Sequence, residues 1–129
     1  MGEIIQVTSG APWESIIGYS RAIRIGNRVE VAGTTAMRGD EVVGENDPYR
    51  QTVRVLQIIK KSLEKVGADL SDVVRTRIFV TDMSRWEEVG KAHRQFFKDI
   101  RPVVTIVEVK ALIDPRLLVE IEAVAIISQ

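Results

Sequence analysis

Two acidic residues in the last apolar stretch of the chain are the strongest candidates for chemistry. Glu120 and Glu122 lie within residues 117–128, a segment that is otherwise almost entirely apolar. Alternate residues of an extended chain share a face, so both carboxylates point to one side of the predicted strand. Burying an unpaired carboxylate is costly, so these two charges face either arginines or an open cleft. In a partly apolar cleft, Glu120 could act as a general acid or base.

Each of the chemically interesting residues also has a structural interpretation. Glu120 is equally well explained by an ion pair with Arg75 or Arg77 at a subunit interface, and for Glu122 a salt bridge is the favoured role. His93 is the only histidine, and its spacing places it on the apolar stripe of a predicted helix. It is either a core residue whose nitrogens are hydrogen-bonded or a catalytic or ligand-binding group.

Composition narrows the class of protein. The chain has 129 residues, which predicts a single domain over residues 1–129, and its 18 basic residues balance 18 acidic ones. This balance gives no support for a nucleic-acid partner. The chain has no cysteine, and its single histidine has no partner at ligand spacing, so neither a metal nor another cofactor is expected. The sequence contains no apolar run of ~20 residues, which predicts a cytoplasmic protein with no membrane partner.

Period-2 and period-3.6 patterns alternate along the chain and predict six strands and two helices. The predicted strands are 3–7, 20–25, 28–33, 73–81, 102–109 and 117–127. Gly26-Asn27 is a two-residue hairpin signal between the second and third of them. The first helix is predicted from Pro48 to Lys65, with Asp47 as its cap. Two helices packed against one sheet are therefore expected.

The second helix is predicted to run from Ser84 to Phe97. Ser84 and Glu87 have the spacing of a capping box at its start. Its apolar stripe is predicted to contain Trp86, Val89, His93 and Phe96. In the sheet, the residues expected to face the helices are Val29, Val31, Val74, Thr76, Ile78, Val80 and the apolar side of the last strand.

The opposite face of the sheet mixes charged and apolar side chains. Arg75, Arg77, Glu120 and Glu122 belong to it, and so do apolar residues of the last strand such as Val124. Such a face suits contact between identical subunits, where arginine–carboxylate pairs set the register. The sequence therefore predicts an oligomer.

Short motifs in order along nearly the whole chain resemble the reactive-intermediate deaminase family (RidA, also called YjgF). They are 18–22 (GYSRA), 25–27 (IGN), 32–34 (AGT), 78–80 (IFV), 96–97 (FF), Pro102, 107–109 (VEV) and 119–123 (VEIEA). The resemblance implies an α+β, chorismate-mutase-like fold. It also implies a homotrimer with the sheets inside, the helices outside and a ligand cleft at each subunit interface.

The resemblance further implies cofactor-free hydrolysis of short-lived 2-imino and enamine acids to 2-keto acids and ammonia. The decisive group in such enzymes is an arginine two residues beyond the proline that opens the penultimate strand, where it grips the substrate carboxylate. Val104 occupies that position here. Ala32 and Gly90 also depart from the family pattern, so a standard 2-imino acid deaminase is not expected.

Family pocket positions retained in this chain are Tyr19, Gly33, Thr105 and Glu120, and Gly90 and Val104 occupy altered ones. Arg21 and Arg101 are the nearest candidates to replace the missing guanidinium, or else they are surface residues. Trp13 is either an aromatic wall of the cleft or a packing anchor. Two functions follow: a trimeric hydrolase of imines, enamines or related C–N substrates that uses Glu120 or His93, or a non-catalytic protein that binds a small ligand.

Overall fold

A six-stranded mixed sheet forms the centre of the computed structural model, which describes residues 3–128. The strands are β1 (Ile4–Val7), β2 (Ala22–Ile25), β3 (Arg28–Thr34), β4 (Met37–Arg38), β5 (Glu41–Val42), β6 (Val73–Val80), β7 (Val103–Glu108) and β8 (Val119–Ile126). The large sheet has the order β1-β2-β3-β8-β6-β7, and β4 and β5 form a separate ribbon. Only β6 and β7 pair in parallel within the large sheet. The predicted α+β fold with six main strands is therefore confirmed.

The helices are α1 (Pro12–Ile17), α2 (Pro48–Lys65) and α3 (Trp86–Phe97). Both ends of α2 match the prediction, because local signals define them. The Asp47 side chain accepts a hydrogen bond from the Arg50 N–H at 3.0 Å, and proline occupies the first turn. The short helix α1, which carries Trp13, was not predicted.

The start of α3 differs from the prediction. A 3-10 turn over Met83–Arg85 precedes the helix, and the Asp82 carboxylate accepts a hydrogen bond from the Ser84 N–H at 3.0 Å. The Ser84 hydroxyl also donates to Asp82, at 2.6 Å, so Ser84 is not a cap and the predicted capping box with Glu87 is wrong. Asp82, rather than Ser84, is therefore the capping residue, and it caps the 3-10 turn that precedes α3.

The buried stripe of α3 follows steps of four residues through Val89, His93 and Phe97. Trp86 falls outside this stripe and is 52% exposed, and Phe97 rather than Phe96 is fully buried. The predicted stripe instead stepped three residues from Trp86 to Val89. A step of three and a step of four lead to different sides of a residue on a helix, so Trp86 lies off the stripe that is buried.

The two faces of the sheet alternate as the sequence predicts at most positions. The residues confirmed as buried are Val29, Val31, Thr76, Ile78, Val80, Leu117, Val119, Ile121, Ala123 and Ala125. On the last strand Ile127 is only half-buried, and Val124, predicted on the opposite face, is buried. On β6, Val74 is 43% exposed while Val73 is buried. The pairing of β6 with β8 shifts register between Val73 and Arg75, and such an irregularity reverses which side chains face the core.

Candidate functional site

The Glu120 carboxylate lies against the backbone of Gly33. Glu120 is on β8, and Gly33 is on the neighbouring strand β3, where the pairing is irregular between Val31 and Thr34. A Cβ atom built on Gly33 would lie 2.0 Å from Glu120 Oε2, far inside van der Waals contact. Gly33 therefore leaves the space that the carboxylate occupies.

The surroundings of Glu120 make proton transfer easier at neutral pH. Burial raises the pKa of Glu120 above its ordinary value of 4.5, and nearby Glu122 raises it further, while Arg21 opposes both effects. A carboxyl group whose pKa moves toward neutrality exchanges a proton with water more readily than an exposed one. The position can thus supply a general acid or base.

Arg21 forms a buried hydrogen-bond network beside Glu120. Its Nη1 donates to the Gly33 carbonyl oxygen and to Thr34 Oγ1, each at 2.8 Å, and its Nη2 donates to the Tyr19 hydroxyl at 3.3 Å. Its Nε lies 3.4 Å from Glu14 Oε2, and both side chains are about 95% buried. The alternative of a surface residue is therefore wrong for Arg21, which fixes Tyr19 and the β3 backbone beside the carboxylate.

Five predicted site residues line one cavity of about 660 Å³: Trp13, Tyr19, Arg21, Gly33 and Glu120. This volume lies within the range of small-molecule sites in proteins. Trp13 is half-buried on α1, where it forms part of the cavity wall. The residues come from α1, the loop after it and two strands, so the fold brings together positions up to 107 residues apart in sequence.

Three other predicted residues line a second, smaller pocket of about 330 Å³: Gly90, His93 and Val104. Arg101 lines the same pocket, and its backbone has a positive φ of 56°. Val104 is 45% exposed. Thr105 lines neither pocket and points to the other face of β7, where it accepts a hydrogen bond from Arg75 Nη1 at 3.4 Å. One protomer therefore holds the predicted site in two separate parts.

His93 has features both of a core residue and of a residue that borders a possible ligand site. It is 9% exposed, its Nε2 lies 3.0 Å from Thr76 Oγ1, and its ring centroid lies 4.6 Å from that of Phe97. Burial lowers the pKa of His93 to about 4, so the ring is neutral at pH 7. His93 thus packs as a core residue and also borders the second pocket.

Glu122, two residues from Glu120 on β8, forms an ion pair with Arg77. Arg77 Nη1 lies 3.0 Å from Glu122 Oε1, and both side chains are partly exposed. This is the salt bridge that the sequence favoured for Glu122. Within residues 3–128 no lysine or arginine lies within ion-pair distance of Glu120, so inside one protomer its carboxylate is not neutralised by Arg75 or Arg77.

A basic stripe on α2 was missed. Arg54, Lys61 and Lys65 line the larger cavity. Their spacing places them on one helical face, a signal that the sequence contains. The sequence does not show that this face borders the cavity that contains Glu120.

Two kinds of feature are absent from residues 3–128. No cluster of three or more acidic or histidine side chains is arranged to hold a metal ion. No helix in that range combines the length and apolar character needed to cross a membrane.

Comparison with known families places the whole fold in one group. The family described as Endoribonuclease L-PSP matches residues 8–127. A RutC family protein of Pyrococcus abyssi is 35% identical over 129 residues, which cover 97% of this chain and 98% of that protein.

Solved structures agree with the sequence matches. The crystal structure of Rv2704 from Mycobacterium tuberculosis, described as a member of the highly conserved YjgF/YER057c/UK114 family, is 54% identical with a TM-score of 0.88. The match covers 97% of this chain and all of that one. The structure of the YjgF gene product from E. coli is 28% identical, with a TM-score of 0.81 and coverage of 93% and 95%.

Proposed function

The chain belongs to the RidA/YjgF family, whose members include the RutC family proteins, and we propose that it binds a small metabolite in a cleft where Glu120 activates water. The substrate is an imine, an enamine or a related C–N compound. The observation that carries the proposal is the half-buried Glu120 carboxylate, which lies against Gly33 and shares a cavity with Tyr19.

The proposed chemistry needs only water and the carboxylate. Glu120 accepts a proton from water while the water oxygen bonds to the carbon of the C=N group, and Glu120 then donates that proton to the nitrogen to give a carbinolamine. Glu120 next transfers the proton of the carbinolamine hydroxyl to the nitrogen, so that the C–N bond breaks, ammonia leaves and a carbonyl product remains. The Tyr19 hydroxyl, which accepts a hydrogen bond from Arg21, is placed to orient the substrate or the water.

The cleft is completed, in this proposal, by a second copy of the chain in a cytoplasmic homotrimer. The part that contains Glu120 and the part that contains Val104 are separate within one protomer. On the edge strand β7, Val103, Val104 and Val107 are 57%, 45% and 40% exposed. Apolar side chains on an edge strand, next to the partly exposed Arg77–Glu122 pair, suit an interface between identical subunits.

Val104 alters what the cleft can bind. An aliphatic side chain cannot form the two parallel hydrogen bonds that an arginine makes with a carboxylate, a loss of ~2–5 kcal/mol for a buried charged contact. We therefore propose that the chain is not a standard 2-imino acid deaminase. The same exposed valine favours a second function, binding of a small ligand without chemistry.

The test generates 2-aminoacrylate from serine with a dehydratase and measures its loss with and without the protein. Little acceleration is expected from the wild type with this carboxylate substrate, and Val104→Arg is expected to raise the rate. Glu120→Gln should abolish the gain, while Glu64→Gln, at an exposed carboxylate that does not line the cavity, serves as the control. A wild-type rate equal to that of an arginine-bearing relative would refute the inference from Val104.

A separate measurement addresses the assembly. Sedimentation equilibrium should give three times the 14.4 kDa mass of the chain. A monomer at micromolar concentration would contradict the composite cleft.

If Val104→Arg remains inactive in a folded trimer, the function without chemistry is the better description.

A further inference from the structure

One wall of the larger cavity is a stripe of cations along α2. Arg54, Lys61 and Lys65 line it together with Ile58, and these four positions recur every three or four residues, so they share one helical face. Lys60 and Glu64 lie on the same helix but do not line the cavity. Three of the five cations of α2 therefore border the cavity, and the other two, Arg50 and Lys60, lie elsewhere on the helix.

These cations have no acidic partners. Among residues 3–128, none of Arg54, Lys61 and Lys65 forms an ion pair. The one carboxylate that lines the cavity is Glu120. Like charges four residues apart, as in Lys61 and Lys65, destabilise a helix slightly. A stripe that weakens the helix slightly and has no carboxylate paired with it among residues 3–128 is best explained by an anion that binds to it.

Arg54 is the most firmly held cation of the stripe. Its Nε donates a hydrogen bond to the Met37 carbonyl oxygen at 3.1 Å, which orients the guanidinium at the cavity wall. Its two Nη groups form no hydrogen bond within the described part of the chain. Partial burial lowers the pKa of Arg54, and the neighbouring cation Arg38 lowers it further. A fixed guanidinium with free nitrogens and a second cation nearby is a binding group for an oxyanion.

We infer that Arg54, Lys61 and Lys65 form an anion subsite, and that the ligand of this cavity is a small molecule with a phosphate or a second carboxylate. The inference rests on the proposed function only in using the same cavity, because anion binding requires no hydrolysis. It provides an anchor for the anionic end of a ligand that does not depend on position 104.

The size and the partly apolar lining of the cavity favour a small molecule over a nucleic acid. A volume of about 660 Å³ holds one metabolite, and the wall includes the apolar side chains of Trp13, Ile17 and Ile58. The formal net charge of the chain is zero, so the protein as a whole does not attract a long polyanion.

The test measures equilibrium binding by calorimetry for three probes: 2-oxobutanoate with one carboxylate, 2-oxoglutarate with two, and phosphoenolpyruvate with a carboxylate and a phosphate. We expect 2-oxoglutarate and phosphoenolpyruvate, the two dianions, to bind at least several-fold more tightly than 2-oxobutanoate. Their affinity should fall as salt is added. A preference for 2-oxoglutarate identifies a dicarboxylate ligand, and a preference for phosphoenolpyruvate a phosphorylated one.

Lys61→Glu and its neighbour Lys60→Glu form a matched pair with the same change in charge on the same helix. Loss of charge-assisted contacts should weaken dianion binding roughly tenfold or more in Lys61→Glu, while Lys60→Glu binds like the wild type. Arg54→Gln should weaken binding as well. Circular dichroism verifies that all three variants fold.

Three results would overturn the inference: no binding of either dianion, equal affinity for 2-oxobutanoate and the dianions, or equal effects of the two lysine variants. Tight binding of a single-stranded RNA that Lys61→Glu abolishes would also overturn it, because it would assign the stripe to a polymer. None of these results touches the role of Glu120. That role fails separately, if Glu120→Gln leaves hydrolysis unchanged.

Discussion

The region around Glu120 and the region around Val104 differ in how their polar side chains are held. At Glu120 the charges are buried and fixed: Arg21 contacts Gly33, Thr34, Tyr19 and Glu14. Around Val104 the surface is open, and the buried side chain of His93 there is neutral at pH 7 and hydrogen-bonded to buried Thr76. The first region is thus organised within one chain, whereas the second leaves apolar surface exposed.

The difference follows from the cost of burying charge. A buried guanidinium must have partners for its nitrogens, so the residues around Arg21 are constrained by one another. An exposed valine has no such requirement. Substitutions in the first region should therefore damage the fold, and those in the second should mainly change what binds.

The largest effect is expected from Arg21→Met. It removes the bonds to Gly33, Thr34 and Tyr19 and leaves the Glu14 carboxylate buried without its cation. Breaking a buried pair in this way destabilises a protein by ~3–5 kcal/mol. Urea unfolding measures the loss. Arg28→Met, at an exposed arginine paired with Glu30, is the control and should cost at most ~1 kcal/mol. Equal decreases in the free energy of unfolding for the two variants would contradict the claim that the region around Arg21 is the more constrained one.

A pH-dependent loss of stability is expected from His93. Because burial holds the pKa of His93 near 4 in the folded state, below its ordinary value of 6.5, protonation favours the unfolded chain. The free energy of unfolding should therefore fall as pH decreases from about 6.5 to 4, and less so in His93→Gln. The difference between the two proteins isolates this residue from the carboxylates. Parallel curves would show that His93 titrates normally and is more open to the second pocket than its burial indicates.

A pair of glycine substitutions compares the two regions directly. In Gly33→Ala the new Cβ would overlap Glu120 Oε2, so the carboxylate must move, at a cost of only ~1 kcal/mol because Oε2 ends a flexible, half-buried side chain. In Gly90→Ala the nearest atoms are those of the Trp86 ring at 3.8 Å, an ordinary contact, and alanine in a helix should stabilise by ~0.5–1 kcal/mol. Thermal unfolding gives both values. A Gly33→Ala protein as stable and as active as the wild type would contradict the tight contact at Glu120.

The smallest effect on the protomer is expected from Glu122→Gln. Its partner Arg77 is 45% exposed, and an exposed ion pair contributes ~0–1 kcal/mol. Unfolding of the protomer under dilute conditions should therefore change little. A loss above ~2 kcal/mol that depends on protein concentration would instead show that this face is buried between subunits.

Local patterns predicted most elements of this fold. The signals that define α2, its Asp47 cap and the spacing of its apolar residues, lie within the helix segment itself. The turn at Gly26-Asn27 likewise joins β2 to β3, and Gly26 has a φ of 62° there. Two of the errors have clear structural causes. The capping box predicted at Ser84 fails because the Asp82 carboxylate bonds Ser84 itself, and the predicted burial of Val74 fails because the pairing of β6 with β8 shifts register there. Neither competing interaction has a strong sequence signature.

The sequence by itself determined which residues share a strand or helix face, because alternation and helical spacing act over a few residues. It thereby placed Glu120 and Glu122 together and His93 on an apolar stripe. Only the tertiary structure decided that Arg21 is buried with Glu14, that the site residues divide between two pockets, and that the α2 cations border the cavity of Glu120. Those outcomes depend on how distant elements pack, and packing is set by the mutual fit and desolvation of whole surfaces rather than by spacing along the chain.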